Sequence, residues 1–437
     1  MSFMPMRLSE DVNMLDINDP KIRSLLLRFD FGLEKEALRI TKDGSFSKMP
    51  HPFPDDKTVV RDFCENQTEI NTGVHDSEEG ALEELEQHEK KVRQTLLNLP
   101  QPEYLWPFSN PPYIKDEDDI PIANFTGPLY DKTVYRDYLA KMYGKYKMTF
   151  SGIHVNLSFA EELIDRHIEL TGTSKSRREV KDDIYLDLAK NLVRDGWIIN
   201  VLLSASPVLD GSFLERGVKG RTEFLGMASV RCSELGYWNH FVPVFNYQSV
   251  SAYADGIRNY ISEGLITSQT EIYYPVRLKP KGANSLETLV EKGVNHIELR
   301  NVDLNPYAYA GLDIRDLKFI KLLTAYELCQ EPHDMTRERQ IKSVINFKNS
   351  AHYNIETDRI MNADDEFVPI KDASVALIDR IWAFYEAAGL LDDEAKGILS
   401  YQKDKLVTPG RRYAERVYDE YKDDFFARGL KTSQNLP

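Results

Sequence analysis

The spacing of hydrophobic residues along the chain predicts amphipathic helices separated by shorter strands. Leucines and valines recur at helical intervals from Leu82 to Leu99, and Pro100 ends this run. A second, strongly apolar helix is expected over 184–204, after a charged segment at 174–183 that suits a loop tip or a helix start. A third is expected over 375–385. The predicted caps are Asp76 with Glu79 as its partner for the first helix, and Asp372 or Ser374 for the third.

Shorter segments with alternating apolar and polar residues lie between these helices and indicate strands. They are 28–40, 58–72, 148–158, 228–233, 271–277 and 296–301. Helices and long loops separate them, which predicts an α+β fold with a mainly antiparallel sheet. Six prolines at 100–121 are interleaved with aromatic residues and predict an ordered loop laid over the domain. No linker or repeat divides the sequence, so we expect one domain over 1–437, with the chemistry in 30–310 and a helical region at 311–437.

Composition and charge exclude several classes of protein. The 437 residues carry 70 acidic and 55 basic side chains, a formal net charge of −15, which disfavours a nucleic-acid partner. The most apolar stretch, 197–209, contains polar residues and a proline and is too short to span a bilayer, and the N-terminus has no signal-like apolar core. Three cysteines without CxxC spacing fit a reducing compartment. We therefore expect a cytoplasmic protein with no membrane partner.

Carboxylates gather on the first predicted strand. Glu34 and Glu36 are two residues apart, so on a strand they project from the same face. A solvated edge strand would explain such a pair on its own. The segment 61–70 adds Asp62 and Glu65, with Gln67 and Glu69 expected on the same face as Glu65. A strand that is polar on both sides is unusual unless it lines a wet cavity.

Two further strands contribute an imidazole and a mixed charge pair. In 153–158 the aliphatic residues alternate with His154 and Asn156, which should face away from the core. In 296–301 the same alternation places Glu298 and Arg300 on one side, where a plain surface ion pair is the alternative. Carboxylates with one imidazole are the ligands expected for magnesium or manganese beside phosphate, and an arginine would stabilise transferred charge.

Ordered sequence blocks give this chain a resemblance to bacterial glutamate–cysteine ligases. The first block is FGLEKEALRI at 31–40, and the others follow in the family's order to about residue 310. The remaining blocks lie at 50–52, 62–69, 106–114, 134–136, 151–156, 196–197, 205–207, 230–237, 271–273, 297–300 and 303–306.

The resemblance implies a relative of glutamine synthetase, with a curved, mainly antiparallel sheet forming a funnel and helices packed outside. It also implies that ATP phosphorylates the γ-carboxylate of L-glutamate and that the amine of L-cysteine attacks the acyl phosphate. The products would be γ-glutamylcysteine, ADP and phosphate, the first step of glutathione biosynthesis. Activation is needed because a carboxylate is a poor acyl donor until its oxygen becomes a leaving group.

The resemblance also implies roles for individual residues. Glu34, His154 and Glu298 would hold a Mg²⁺ ion, or alternatively Mn²⁺, over the ATP phosphates, while Glu36 and Glu69, with Asp62 nearby, would hold metal ions beside the glutamate carboxylate. Arg300 would neutralise the phosphoryl group in transfer, with Asn156 as a second nucleotide contact. The expected residues of the cysteine site are Phe63, Tyr135, Arg136, Arg231, Tyr237 and Tyr273. For the tyrosines, simple core packing is the alternative.

Two segments depart from the family pattern and leave the acceptor open. Residues 66–68 are more polar than expected, and 71–73 lack the usual proline-ended turn. A γ-glutamyl ligase for another amine is therefore one alternative, and a non-catalytic sensor of glutamate or nucleotide is another. The sequence contains no ATP-grasp module like that of the fused relatives, so we expect a separate glutathione synthetase downstream if the chain acts alone.

Overall fold

The computed structural model describes residues 14–362 and 365–436. The helices among them, in chain order, are α1 (Pro20–Leu25), α2 (Glu78–Leu97), α3 (Tyr130–Tyr143), α4 (Glu162–Thr171), α5 (Arg177–Asp195), α6 (Trp197–Leu203), α7 (Val250–Ser262), α8 (Leu286–Lys292), α9 (Ile314–Leu328), α10 (Arg337–Asn349), α11 (Ile370–Ala387), α12 (Asp393–Val407), α13 (Tyr413–Tyr421) and α14 (Phe425–Asn435). The strands are β1 (Phe29–Thr41), β2 (Val59–Arg61), β3 (Gln67–Asn71), β4 (Glu103–Leu105), β5 (Ile153–Phe159), β6 (Val208–Asp210), β7 (Thr222–Phe224), β8 (Val276–Lys279), β9 (His296–Val302), β10 (Arg359–Met361) and β11 (Phe367–Pro369). Within the described ranges, every helix is too short or too polar to cross a lipid bilayer.

The main sheet is antiparallel and has the strand order β2-β3-β1-β5-β9-β8, with β4 paired to the end of β1. Alternate residues of β1, β5 and β9 point to opposite faces. One face carries aliphatic and aromatic side chains that pack against α2, α5 and α6, and α9 packs on α2 and α5. These include Phe31, Leu33, Val155 and Leu299. The predicted α+β class with helices packed on an antiparallel sheet is confirmed.

The helix-covered core extends over most of the chain. It contains Leu15 near the start of the described residues and Leu406 in α12, so the C-terminal helices share a core with the strands. On the other face, the end of β1 contributes Leu38 and Ile40 to a second apolar cluster that includes Trp106. The proline-rich segment 100–121 supplies this cluster and is ordered, as predicted. The polar face of the sheet is therefore bordered by packed structure.

Several predicted strand boundaries are wrong. The segment 58–72 forms two strands, because the chain turns at 62–66 and the Gln67 amide donates to the Cys64 carbonyl (3.0 Å). Glu65 lies in this turn and not on a strand with Glu69. Residues 147–149 form a 3₁₀ turn before β5, and 271–275 precede β8 instead of belonging to it. Residues 228–233 form turns, with a single bridge to the segment before β6.

The predicted helices exist, but their ends differ from the predictions. Ser77, not Asp76, caps α2 by accepting the Gly80 amide. The charged segment 174–183 begins α5, where Ser176 and Glu179 form a capping box. The apolar helix is interrupted at Gly196, where a Cβ would lie 2.3 Å from the Leu192 carbonyl oxygen. Helix α11 begins at residue 370, before both predicted caps, and has no side-chain cap.

Candidate active site on the polar face of the sheet

Strand pairing brings the predicted acidic residues and histidine onto one face. In register, Glu36 is opposite Glu69, Glu34 is opposite His154, and Asn156 is opposite Glu298. Directly opposed residues in an antiparallel pair point to the same side, with Cβ atoms about 5 Å apart. Four strands therefore place these polar side chains side by side, away from the helix-covered core.

Glu34, His154 and Glu298 form the tightest part of this cluster. One ligand atom of each lies within 4.8 Å of the other two. His154 Nδ1 is 3.1 Å from Glu34 Oε2, and Asn156 donates its amide to the other oxygen of Glu34 at 3.0 Å. Although burial opposes ionisation of Glu34, its hydrogen bond with His154 lowers the pKa of this carboxyl group. Burial and the nearby Arg300 lower the pKa of His154, which favours the neutral imidazole that binds metals.

Glu298 sits among three cations. Its carboxylate lies 3.1 Å from Arg300, 3.2 Å from Lys279 and 3.8 Å from Arg277. The side chain is 1% exposed, and although burial opposes its ionisation, Arg300 and Lys279 hold the Glu298 pKa well below its ordinary value. Sequence reasoning missed Arg277 and Lys279. Their alternation along β8 places both on one face of that strand, but only the register of the folded sheet sets Arg277 opposite Glu298.

Glu36 and Glu69 make an acidic pair on which arginines also act, Arg231 and Arg300 on Glu36 and Arg136 on Glu69, but burial and neighbouring carboxylates outweigh them. Burial and the charge of Asp62 raise the pKa of Glu36 well above its ordinary value. The same two causes raise the pKa of Glu69 to about 8. Asp62, in the turn between β2 and β3, is therefore close enough to act on both groups. Carboxylates crowded in this way repel one another unless a cation lies between them.

The donor set fits divalent cations. His154 Nε2 is buried without a hydrogen-bond partner among the described residues, and it lies 4.0 Å from Glu36 Oε1. Oxygen donors with one imidazole suit Mg²⁺ or Mn²⁺. Added positive charge would also relieve the repulsion between Glu36 and Glu69, because a bound ion inverts the local electrostatics.

Arg231 reaches the site from a loop and not from a strand. Its guanidinium donates to the Arg300 carbonyl oxygen at 2.8 Å, and its charge lies close enough to affect Glu36. A Cβ on Gly152 would lie 2.4 Å from the Arg231 Cζ atom, so the absence of a side chain at Gly152 makes room for this arginine. Arg231 and Arg300 together border the acidic cluster.

A small aromatic cavity adjoins the two arginines. It has a volume of about 50 Å³, and its lining includes Arg231, Arg300, Tyr237 and Tyr273. The rings of Tyr237 and Tyr273 meet edge to face with centroids 4.7 Å apart. Tyr143, which the sequence reasoning missed, also packs edge to face against Tyr273, with ring centroids 5.3 Å apart. The cavity combines cationic and aromatic walls and could hold a small side chain.

The other predicted substrate residues, Phe63, Tyr135 and Arg136, do not line this cavity and make contacts elsewhere. Phe63 is 2% exposed and belongs to the apolar cluster that includes Trp106, against which Tyr135 and Tyr237 pack. Tyr135, on α3, accepts a hydrogen bond from Thr270 (3.1 Å). Arg136 donates to backbone carbonyls, including that of Asp62 at 2.6 Å, and its guanidinium lies over Phe125.

A larger cavity of about 610 Å³ lies between α5, α9, α10 and α11. Its lining includes Arg194, Trp197 and Arg380, but none of the residues predicted from the sequence to form the site. The chemistry suggested by the carboxylate cluster therefore belongs to the sheet face and not to this cavity.

Comparison with known proteins identifies related sequences. The family model described as "Glutamate-cysteine ligase" matches residues 14–265 and 242–350. A "Glutathione biosynthesis bifunctional protein GshAB" from Listeria monocytogenes is 35% identical over 411 residues, which cover 91% of this chain and 53% of the relative. A "Glutamate--cysteine ligase" from Clostridium acetobutylicum is 28% identical over 449 residues, covering 91% of this chain and 89% of the relative. The chain thus spans about half the length of the bifunctional relatives it matches.

A solved structure shares the fold. It is described as a glutamate–cysteine ligase from Francisella tularensis in complex with AMP, and it superposes with a TM-score of 0.83 at 22% sequence identity. The match covers 94% of this chain and 88% of the other. The predicted type of fold is confirmed by this likeness.

Proposed function

The chain belongs to the glutamate–cysteine ligase family, and we propose that it joins the γ-carboxylate of L-glutamate to the amine of L-cysteine at the expense of ATP. The reaction would pass through γ-glutamyl phosphate and give γ-glutamylcysteine, ADP and phosphate, the first step of glutathione biosynthesis. The observation that carries this proposal is the polar sheet face, where four strands unite carboxylates, an imidazole and arginines. This is the composition that transfer of a phosphoryl group to a carboxylate requires.

Divalent cations are the first requirement of this proposal. Glu34, His154 and Glu298 would hold one ion, and Glu36 and Glu69 with Asp62 would hold the ions nearer glutamate. Mg²⁺ is the proposed metal, with Mn²⁺ as the alternative. Such ions neutralise phosphate oxygens and so lower the barrier to attack by a carboxylate. Glu36 and Glu69 would act catalytically in this sense, by fixing the position of the reacting groups.

The arginines would stabilise charge during the reaction. Arg300 lies beside Glu298 and directs positive charge toward the cluster, which suits neutralisation of the transferred phosphoryl group. Asn156 Oδ1 is buried and has no hydrogen-bond partner within the described part of the chain, so it is free to accept one from the nucleotide side. Arg231 would bind the carboxylate of the amine substrate, because a guanidinium matches a carboxylate with two parallel hydrogen bonds.

The aromatic cavity beside Arg231 would accept the cysteine side chain. Its volume of about 50 Å³ suits a short side chain and excludes a long one. Tyr237 and Tyr273 would form its wall, with Phe63 and Tyr135 behind them. The positive charge of Arg136 lies close enough to Asp62 and Glu69 to interact with them, and its role would be to stabilise their ionised forms.

Two side chains of the unusually polar segment 66–68 have a structural explanation, which removes their polarity as a reason to expect another amine. Asn66 donates its amide to the Arg39 carbonyl (3.0 Å), and Gln67 donates to the Phe150 carbonyl (3.0 Å). Both side chains are buried and satisfy backbone groups instead of facing the cavity. The polarity that had suggested a different acceptor therefore serves the fold.

We further propose that residues 1–437 act as one catalytic domain in a reducing cytoplasm. The shared core from Leu15 to Leu406 supports the first point, and three buried free cysteines support the second. A glutathione synthetase, on a separate chain if this one acts alone, would add glycine to the product.

The test is phosphate release with ATP, Mg²⁺ and glutamate across a panel of amines, with the product identified by mass. We expect γ-glutamylcysteine, formed only when ATP and metal are both present and abolished by a chelator. Turnover with another amine but not with cysteine would show that the acceptor is that amine, with the same mechanism. Folded protein that binds ATP but turns over no amine would contradict the proposal and favour a sensor.

A further inference from the structure

Helix α3 has few buried residues, although its Tyr143 packs against Tyr273 in the wall of the aromatic cavity that is proposed to accept the cysteine side chain. All of its 14 residues are described, and Leu139 alone among them is buried. Apolar side chains on its outer side, including Tyr130 and Val134, are more than half exposed. Glycines with positive φ flank it, Gly127 at +61° and Gly144 at +80°, which gives both ends conformations that other residues rarely adopt. Its apolar contacts run along one side only, where Leu139 and partly buried residues such as Tyr138 and Tyr143 pack on the apolar cluster around Trp106.

Tyrosine hydroxyl groups connect this helix to the 3₁₀ turn at 269–271. Tyr138 and Tyr143 both donate to one oxygen of Glu271, at 3.0 and 2.7 Å. Thr270 donates to the Tyr135 hydroxyl at 3.1 Å. Burial and the hydrogen bond to Glu271 raise the pKa of Tyr143, which keeps this hydroxyl protonated and able to donate.

Glu271 is fully engaged by these contacts. The residue is 0% exposed, and its second oxygen accepts the Thr267 amide at 2.8 Å and the Thr267 hydroxyl at 3.0 Å. Two acceptor positions on each oxygen are thus occupied, which is the capacity of a carboxylate. Glu271 is therefore not free to bind a metal or to exchange a proton with substrate.

The same segment is connected to the wall of the acceptor cavity. Asn239 donates to the Glu271 carbonyl oxygen at 2.7 Å and accepts the Tyr273 amide at 2.9 Å. The Tyr273 ring contacts the rings of both Tyr143 and Tyr237 edge to face. A movement of α3 that carries Tyr143 away would remove one of the two rings that hold Tyr273 in place.

We propose that Glu271 is a positioning residue that latches α3 against the acceptor wall and so sets the affinity for the amine substrate. This inference rests on the proposed function for its kinetic consequence, although the latch itself can be tested without turnover. The tyrosine hydroxyl groups are the movable part, and the buried carboxylate is the fixed part. Without these hydrogen bonds, α3 moves away about Gly127 and Gly144, and the Tyr273 ring loses its contact with the Tyr143 ring.

The experiment replaces both donors in the full chain with the double variant Tyr138→Phe/Tyr143→Phe. Each change removes a hydroxyl group and little volume. The control is Tyr146→Phe in the turn after α3, because the Tyr146 hydroxyl is buried without a hydrogen-bond partner among the described residues. Glu271→Gln is the second test variant, since glutamine keeps one acceptor oxygen and puts an NH2 donor in place of the other, so it cannot accept from both the tyrosines and Thr267.

We expect the KM for the amine to rise about tenfold in the double variant, which corresponds to about 1.4 kcal/mol. The kcat and the KM values for ATP and glutamate should stay within twofold of wild type. Hydrogen exchange of backbone amides in α3 should become faster, while exchange in α5 and in Tyr146→Phe stays as in wild type. Unchanged exchange in α3 would overturn the latch, whatever the kinetics. Faster exchange with an unchanged KM would overturn its role in amine affinity. If the wild-type protein has no ligase activity, the proposed function is refuted but the latch is not, because hydrogen exchange of the α3 backbone amides tests the latch without turnover.

Discussion

Replacing Gly152 with alanine should damage the acceptor site without unfolding the protein. The new Cβ would lie 2.4 Å from Cζ of Arg231, and 2.5 and 2.7 Å from two guanidinium nitrogens. Gly152 does not have a positive φ, so alanine fits the backbone conformation. The clash involves the far end of a flexible side chain, which can rotate away. The expected result is a displaced Arg231 in an otherwise unchanged fold.

The magnitude follows from the contacts that Arg231 would lose. Its guanidinium donates to the Arg300 carbonyl at 2.8 Å, and the residue is 7% exposed. A hydrogen bond that involves a charged group contributes about 1.5–3 kcal/mol. If the same guanidinium binds the carboxylate of the amine substrate, its displacement should weaken that binding by a similar energy, roughly tenfold to a hundredfold.

Steady-state kinetics with thermal unfolding would measure this effect. We expect a raised KM for cysteine, nearly unchanged KM values for ATP and glutamate, and a melting temperature close to wild type. The matched control is Gly256→Ala in α7, where a Cβ would meet nothing within 4 Å. An unchanged KM for cysteine in Gly152→Ala would refute the reasoning, because it requires both that Arg231 is displaced and that Arg231 binds the amine substrate.

Two further predictions concern the acidic cluster and the stability of the chain. Glu36→Gln removes charge and little volume, so the protein should stay folded while formation of acyl phosphate falls roughly 100-fold or more. Hydroxylamine trapping measures the acyl phosphate, and a wild-type trapping rate in this variant would contradict the metal role of Glu36. Asp19 caps α1 and pairs with Arg166 at 2.5 Å, and this hydrogen bond lowers the Asp19 pKa from 3.8 to about 2. Because the folded pKa is depressed, its stabilisation of about 2 kcal/mol is present above pH 4, falls to roughly half by pH 3 and is lost as the pH passes through about 2. Urea unfolding of wild type and Asp19→Asn should show this difference shrinking with acid, and a difference independent of pH would contradict the assignment.

Local alternation in the sequence was sufficient to predict which side chains of the central strands face away from the core. In β5 the aliphatic residues enter the helix-covered core, and His154 and Asn156 point to the other side. The same holds for Glu34 and Glu36 on β1. These predictions succeeded because the period of two depends only on neighbouring residues and on the need to bury one face.

The sequence was less informative where a turn or a loop contributes to the site. The strand predicted for 58–72 concealed a turn that takes Glu65 away from Glu69, and Arg231 reaches the site from a segment predicted to be a strand. Arg277 went unrecognised because its partner Glu298 lies on another strand, 21 residues further along the chain. Contacts across such separations leave no trace in local spacing.

By itself, then, the sequence determined the α+β class, the polar face of each central strand and the family to which the chain belongs. Tertiary structure decided the strand order and register, which set Glu36 opposite Glu69 and Glu34 opposite His154. It also decided which charges surround each carboxyl group, and hence why the pKa of Glu298 falls while that of Glu69 rises. The physical reason is that periodicity is fixed by bonds and burial along one segment, whereas register and electrostatic environment are sums over partners brought together only by folding.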